Sequence, residues 1–281
     1  MNASPTIDTA RLPMLLTQLR LPTVGRLWQA ITETAARDSW PAAKTLAALL
    51  EHEIAERAQR RTARHLLEAR LPPGKSLDRF DFTAVTSISK ARVTALAEGD
   101  SWLAQGTNIL LFGPPGVGKS HLAAALGHAM VDAGYRVLFS RTTDLVQQLQ
   151  AARQDLKLAN AIEKLDKFHL LVLDDLSYVQ KSQAETSVLF ELISARYERR
   201  STLITANMGF GEWGRIFPDP AMTLAAVDRL VHHATIFEIN VDSYRRRAAL
   251  DRKQKGAGRP PNHATIKSQA NTSLRDNQPT K

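Results

Sequence analysis

The sequence predicts a three-layer α/β domain built on a parallel sheet, set behind a small all-helical domain and ahead of a disordered basic tail. Three observations carry that prediction. Apolar strand-like runs alternate with amphipathic helical stretches from about Leu77 to Tyr244. Before them, apolar residues recur at spacings of three and four. After Gln254, apolar residues thin out behind Lys255-Gly256-Ala257-Gly258-Arg259-Pro260-Pro261, and such a run cannot bury enough surface to fold. The expected divisions are residues 1–75, 76–254 and 255–281.

The first region, from about Arg11 to Arg70, reads as helical. Leu46, Leu49, Leu50, Ile54 and Ala58 form one apolar stripe. Ser39 ahead of Trp40-Pro41 is expected to cap a helix. Glu53/Arg57 and Glu56/Arg60 stand four apart and support it. Leu71-Pro72-Pro73-Gly74 ends it. The same helix carries a basic ridge of Arg57, Arg60, Arg61 and Arg64, which reads as facing DNA phosphates. In the second region the expected strands are Asn108–Phe112, Arg136–Ser140, Leu170–Asp174, Thr202–Ala206 and Thr235–Ile239.

Composition excludes several functions. Of 281 residues, 43% are hydrophobic, enough for a core. No run approaches the roughly 18 apolar residues of a membrane helix. No secretory signal is visible behind Met1-Asn2-Ala3-Ser4-Pro5. The absence of cysteine rules out disulfides, Cys-ligated zinc and thiol catalysis, and fits a cytoplasmic protein. The net charge of +9 sits on the flanks. Residues 245–281 hold ten Lys/Arg against two Asp, and residues 1–75 hold eleven against seven Asp/Glu. Between them sixteen face nineteen. Concentrated positive charge is the footprint of a polyanion partner, or of a tail that only keeps the protein soluble.

The most specific signal is Gly113-Pro114-Pro115-Gly116-Val117-Gly118-Lys119-Ser120, a G-x-x-x-x-G-K-[ST] pattern between an apolar strand and a helix opening at His121. Glycines let successive main-chain N–H groups approach phosphate oxygens. The helix N-terminus adds a positive dipole end. Lys119 supplies charge to the β- and γ-phosphates, and Ser120 a hydroxyl ligand for Mg²⁺. His121 completes the nucleotide set. ATP and Mg²⁺ are the expected ligands.

Leu170 to Asp175 forms the second signal, a buried strand running out into two acids. Two carboxylates there repel and lose solvation, so a cation is their natural partner. Asp174 is expected to hold the metal and Asp175 to orient or deprotonate water. The expected strand at 136–140 intervenes between the two motifs, unlike P-loop folds whose motif strands are neighbours. Asn207, ending a β-rich run, is expected to face the same crevice. Arg229 and Arg245 flank the last strand. Arg229 is a candidate arginine finger reaching a neighbouring subunit, and Arg245 a candidate phosphate contact. His232-His233 and His65 lack partners at metal spacing and read as helix residues. Trp28, Trp40, Trp102 and Trp213 read as core anchors.

With these residues assembled, the chain resembles the IstB-type AAA+ helper ATPases of insertion-sequence transposons, relatives of the helicase loader DnaC. The resemblance spans Leu12 to Arg247. It rests on the Gly113–Ser120 loop, the Asp174-Asp175 pair, Glu198-Arg199-Arg200-Ser201-Thr202-Leu203-Ile204-Thr205, Trp213 and Asp228-Arg229-Leu230-Val231-His232. Ser243-Tyr244-Arg245 and the link from Ala69 through Phe80-Asp81-Phe82 add to it. It implies ATP hydrolysis, assembly of a homo-oligomer on double-stranded DNA, DNA bending or target selection, and stimulation of a partner transposase. Two features depart from the pattern. Ala206 stands where the family usually has Ser. The 42 residues after Ile239 are fewer than a full helical lid is expected to take. Two rivals stay open: a loader of a replicative helicase, and a nucleotide-gated scaffold with negligible hydrolysis. The second is open because Asp175 is one methylene shorter than the usual Glu.

Overall fold

A computed structural model describes residues 9–99, 101–176, 182–241 and 243–244. Three helices come first: α1 (Leu12–Gln18), α2 (Pro22–Arg37) and α3 (Ala42–Ala69). The expected Ser39 cap is not found. Ser39 instead closes α2, with φ +50° and its N–H donated to Ala36, while Trp40 N–H returns to Ala35. A residue in the left-handed region at a helix end satisfies that helix's last carbonyls and leaves nothing for the next one. Extended Pro41 precedes α3, whose end is marked by left-handed Arg70.

Glu53 ties α2 to α3. Its buried carboxylate accepts the N–H groups of Thr23 and Val24 at 2.8 and 3.1 Å and the Arg57 guanidinium at 2.8 Å. Burial alone would raise its pKa, but these bonds outweigh it and hold the carboxyl below its ordinary value. The anion also sits at the positive end of α2. The apolar stripe behaves differently: Leu46 is 58% exposed, Ile54 67%, Leu50 and Ala58 are exposed too, and Leu49 is half-buried.

Past α3 the chain crosses a loop, then α4 (Lys90–Glu98) and α5 (Ser101–Ala104). Five parallel strands follow: β1 (Asn108–Phe112), β2 (Val137–Arg141), β3 (Leu170–Asp174), β4 (Ser201–Ala206) and β5 (Ala234–Glu238). Their order is β2-β3-β4-β1-β5. The two motif strands, β1 and β3, are therefore not neighbours, as expected. The strand between them in space is β4, while β2 takes an edge. Connecting helices are α6 (Lys119–Asp132), α7 (Thr142–Gln154), α8 (Leu158–Asp166), α9 (Gln183–Arg196) and α10 (Pro220–Val231).

The period of two along each strand makes two cores. Ile109, Leu111, Val172 and Leu203 face α4, α6 and the loop carrying Phe80 and Val85. Leu110, Phe112, Leu171 and Ile204 face α7, α9 and α10. Trp213 and Trp102 are buried anchors, as expected, whereas Trp28 and Trp40 are half-buried. The buried Asn108 side chain is satisfied on both its donor and its acceptor side. Asn108 donates to Leu230 O at 3.1 Å and accepts Thr202 N–H at 2.9 Å. Two helices open on side-chain caps: Ser182 and Glu185 form a capping box for α9, and Asp219 caps α10 ahead of Pro220.

Candidate nucleotide site

The loop 113–118 joins the buried end of β1 to α6 at the C-terminal edge of the sheet. Gly113 has φ +147°, and a Cβ there would lie 2.3 Å from Ile239 O, so only glycine fits. Gly118, at φ +104°, lies against the Phe80 ring. Tyr244 N–H donates to Gly116 O at 3.1 Å, which ties the loop to the segment after β5.

Lys119 is buried, and an ammonium there needs acceptors. Its Nζ donates to Gly113 O at 2.6 Å, Pro114 O at 2.9 Å and Asn207 Oδ1 at 2.8 Å. The same Asn207 amide donates through Nδ2 to Asp175 Oδ1 at 3.1 Å. One side chain thus spans the lysine of the first motif and the second acid of the other. Asp174 Oδ1 accepts the Thr205 hydroxyl at 2.7 Å, and its main-chain carbonyl accepts the Thr142 hydroxyl at 3.0 Å.

Most of these groups, though not Gly113, Pro114 or Thr142, line one cavity of about 750 Å³, within the size range of small-molecule sites. Gly116, Val117, Gly118, Lys119, Ser120, Asp174, Asp175 and Asn207 line it. Ser120 and Asp174 share the cavity, and a hydroxyl with a carboxylate is a hard-oxygen donor set that suits magnesium. Further lining comes from residues that the sequence reading left without a role: Arg79, Phe80, Ala84 and Val85, together with Tyr244. The Asp81 carboxylate shapes that loop by accepting Thr83 N–H, the Thr83 hydroxyl and Ala84 N–H at 3.0, 2.6 and 3.1 Å. The D-x-T spacing was the available signal, since Asp and Thr form such local turns. His121 faces the same loop. It donates to Ser76 O at 3.1 Å and meets Phe80 edge-on. Burial lowers its pKa and nearby Lys75 adds to that, while the Ser76 bond opposes it.

Other expected residues lie elsewhere. Arg229 does not line the cavity. It donates to Ala225 O at 3.1 Å, and its guanidinium sits 4.9 Å from the Phe190 ring centre. Arg245 lies outside the described residues. In the basic ridge, Arg57 bonds Glu53 and Arg20 O, and Arg60 bonds Glu56 and the Thr23 hydroxyl. Arg61 and Arg64 stand exposed further along the helix. His232 and His233, read as partnerless, in fact meet Glu198: its Oε1 lies 3.7 Å from His232 Nδ1 and 3.6 Å from His233 Nε2. The missing partner came from another connection, beyond the reach of local spacing.

Sheet order, phosphate loop and acidic strand end together define a P-loop nucleotide-binding protein with an AAA+ core. AMPPCP-bound DnaA from Aquifex aeolicus shares the fold, with a TM-score of 0.51 over 67% of this chain and 57% of that one, at 20% identity. The sequence pattern of the IstB-like ATP binding protein family matches residues 14–252, and the chain belongs to that family. An insertion-sequence ATP-binding protein of Sinorhizobium fredii (strain NBRC 101917 / NGR234) is 67% identical over 267 residues, which is 95% of this chain and 89% of that protein. The ATP-binding protein of insertion sequence IS21 from Pseudomonas aeruginosa is 38% identical over 234 residues, covering 83% and 88%. Among the described residues no helix is long and apolar enough to cross a membrane.

Proposed function

We propose that this protein binds and hydrolyses ATP, and that ATP drives its self-assembly on double-stranded DNA in support of a partner transposase. The observation that supports hydrolysis most strongly is the Lys119–Asn207–Asp175 relay at the wall of a single cavity. The loop amides and Lys119 grip the β- and γ-phosphates. Asp175 accepts a proton from, or orients, the attacking water, and Asn207 fixes its carboxylate. ATP and water give ADP and phosphate. Magnesium, held by Ser120 and Asp174, would draw charge off the phosphates. Arg229, which does not line its own cavity, would serve the site of a neighbouring subunit.

The DNA reading draws on the relatives, which are named for insertion sequences, and on the basic ridge of α3. All four arginines are exposed, and Arg57 and Arg60 also brace α2. Filter binding to duplex DNA with ATP, across a salt series, tests this reading. Affinity should fall steeply with salt, and Arg64→Ala should lower the log–log slope by about 1. Preference for single strands would favour the helicase-loader role. Duplex binding with no phosphate release, equal in wild type and Asp175→Asn, would leave a nucleotide-gated scaffold.

A further inference from the structure

Two carboxylates at one strand end must be held in different postures if one is to meet a cation and the other water. Asp175 departs from β3 at φ +61°, in the left-handed region. For a residue with a Cβ that costs about 1–2 kcal/mol, so something must hold it there. The regular β3–β4 pairing runs to Leu173 opposite Ile204. One residue further, Thr205 N–H and C=O remain on the strand while β3 turns away. The Thr205 hydroxyl bridges the gap. It accepts Asp175 N–H at 2.8 Å and donates its own proton to Asp174 Oδ1 at 2.7 Å. Thr205 O then accepts Leu176 N–H at 2.9 Å and closes the turn. The side chain is buried, so water does not compete for the hydroxyl.

We infer that Thr205 is the positioning residue of the acidic pair: its hydroxyl fixes the Asp174 carboxylate through Oδ1 and pins the main-chain turn that sends Asp175 toward Asn207. A hydroxyl offers one proton and accepts others, and both capacities are used here on successive residues. Valine has the same shape and neither capacity. Serine keeps both. With Oδ1 tied, Oδ2 is the Asp174 oxygen left to meet a hard cation. The inference rests on the ATPase reading for its purpose, but its physical content concerns metal affinity and one amide.

Its test therefore uses readouts that need no turnover. Mn²⁺ binding is followed by electron paramagnetic resonance in the presence of AMPPCP, for wild type, Thr205→Val and Thr205→Ser. Thr205→Val should weaken Mn²⁺ by about 10–100-fold, the usual effect of removing a partner that orients a metal ligand. Metal-free AMPPCP affinity should stay within about twofold, because phosphate is gripped by other groups. The Asp175 amide should lose hydrogen-exchange protection. Thr205→Ser should restore both. Should Thr205→Val fail to fold, Thr205→Ala is read in its place. Wild-type Mn²⁺ affinity in the valine variant would overturn the inference, as would equal losses in valine and serine variants. If wild type releases no phosphate while the Mn²⁺ and exchange results hold, the ATPase reading fails and the Thr205 role stands.

Discussion

The sheet and helix α3 use apolar residues in opposite ways. In β1, β3 and β4 all but one residue is buried, and the exception, Asp174, is half-buried at the cavity. In the 28 residues of α3 only Glu53, His65 and Ala69 are buried, while Leu46, Leu50, Ile54 and Leu67 face outward. One region completes its core within the chain. The other turns its most apolar side away from it, as an interaction surface does. The nucleotide site belongs to the finished part, and the proposed assembly would draw on the unfinished one.

If that contrast holds, the largest loss comes from inside the sheet domain. Arg196 is buried, and its guanidinium donates to Leu165 O, Phe168 O, Ser201 O and the Thr202 hydroxyl, with Asp166 3.9 Å away. Burial pulls its pKa down to about 10, so it stays charged near neutrality. Arg196→Ala strands those acceptors and should cost about 3–5 kcal/mol in urea denaturation.

A smaller loss is expected at the seam between the two parts. A Cβ on Gly127 would come within 2.6 Å of Leu71 Cδ2, at the loop that leads on to Phe80. Gly127→Val should cost about 1–3 kcal/mol by overpacking, and should weaken ATP binding in calorimetry by displacing that loop.

Acidity should act on the core next. Burial lowers the pKa values of His121 and His169, with Lys75 assisting at the first and Arg200 and Arg136 at the second. A depressed folded pKa means that the neutral form is favoured in the native state. The contribution is complete above the unfolded value of 6.5 and is lost as pH falls through the lower folded value. Melting temperature should therefore drop between pH 7.5 and pH 5, and His169→Asn should flatten the drop.

The smallest change in stability should come from α3. Ile54→Glu should alter urea stability by no more than about 0.5 kcal/mol, yet shift the ATP- and DNA-dependent species in sedimentation velocity toward monomer. A core-sized loss of stability would erase the contrast between the two regions.

The sequence disclosed the sheet because apolar runs between turn residues have few other readings, and strand limits differ by one residue at most. The phosphate loop was legible for the same kind of reason: its spacing encodes its geometry. Three features were not. Ser39 looked like a cap because the two helix ends meet within four residues, and sequence does not say which end a residue serves. Thr205 looked like any β-branched strand residue. Its role depends on β4 lying beside β3, a non-local fact. The stripe on α3 was legible as apolar, but periodicity cannot tell a face that is covered from one that waits for a partner.

Every proposed activity of this protein requires that the loop amides and Lys119 hold triphosphate. Titration calorimetry of ATP into wild type and Lys119→Ala, both checked for folding by circular dichroism, measures that directly. Wild type should bind one ATP per chain, and the variant should lose at least about tenfold in affinity, as removal of a charge-assisted contact predicts. Equal binding by the two proteins, or no heat from either, would contradict it.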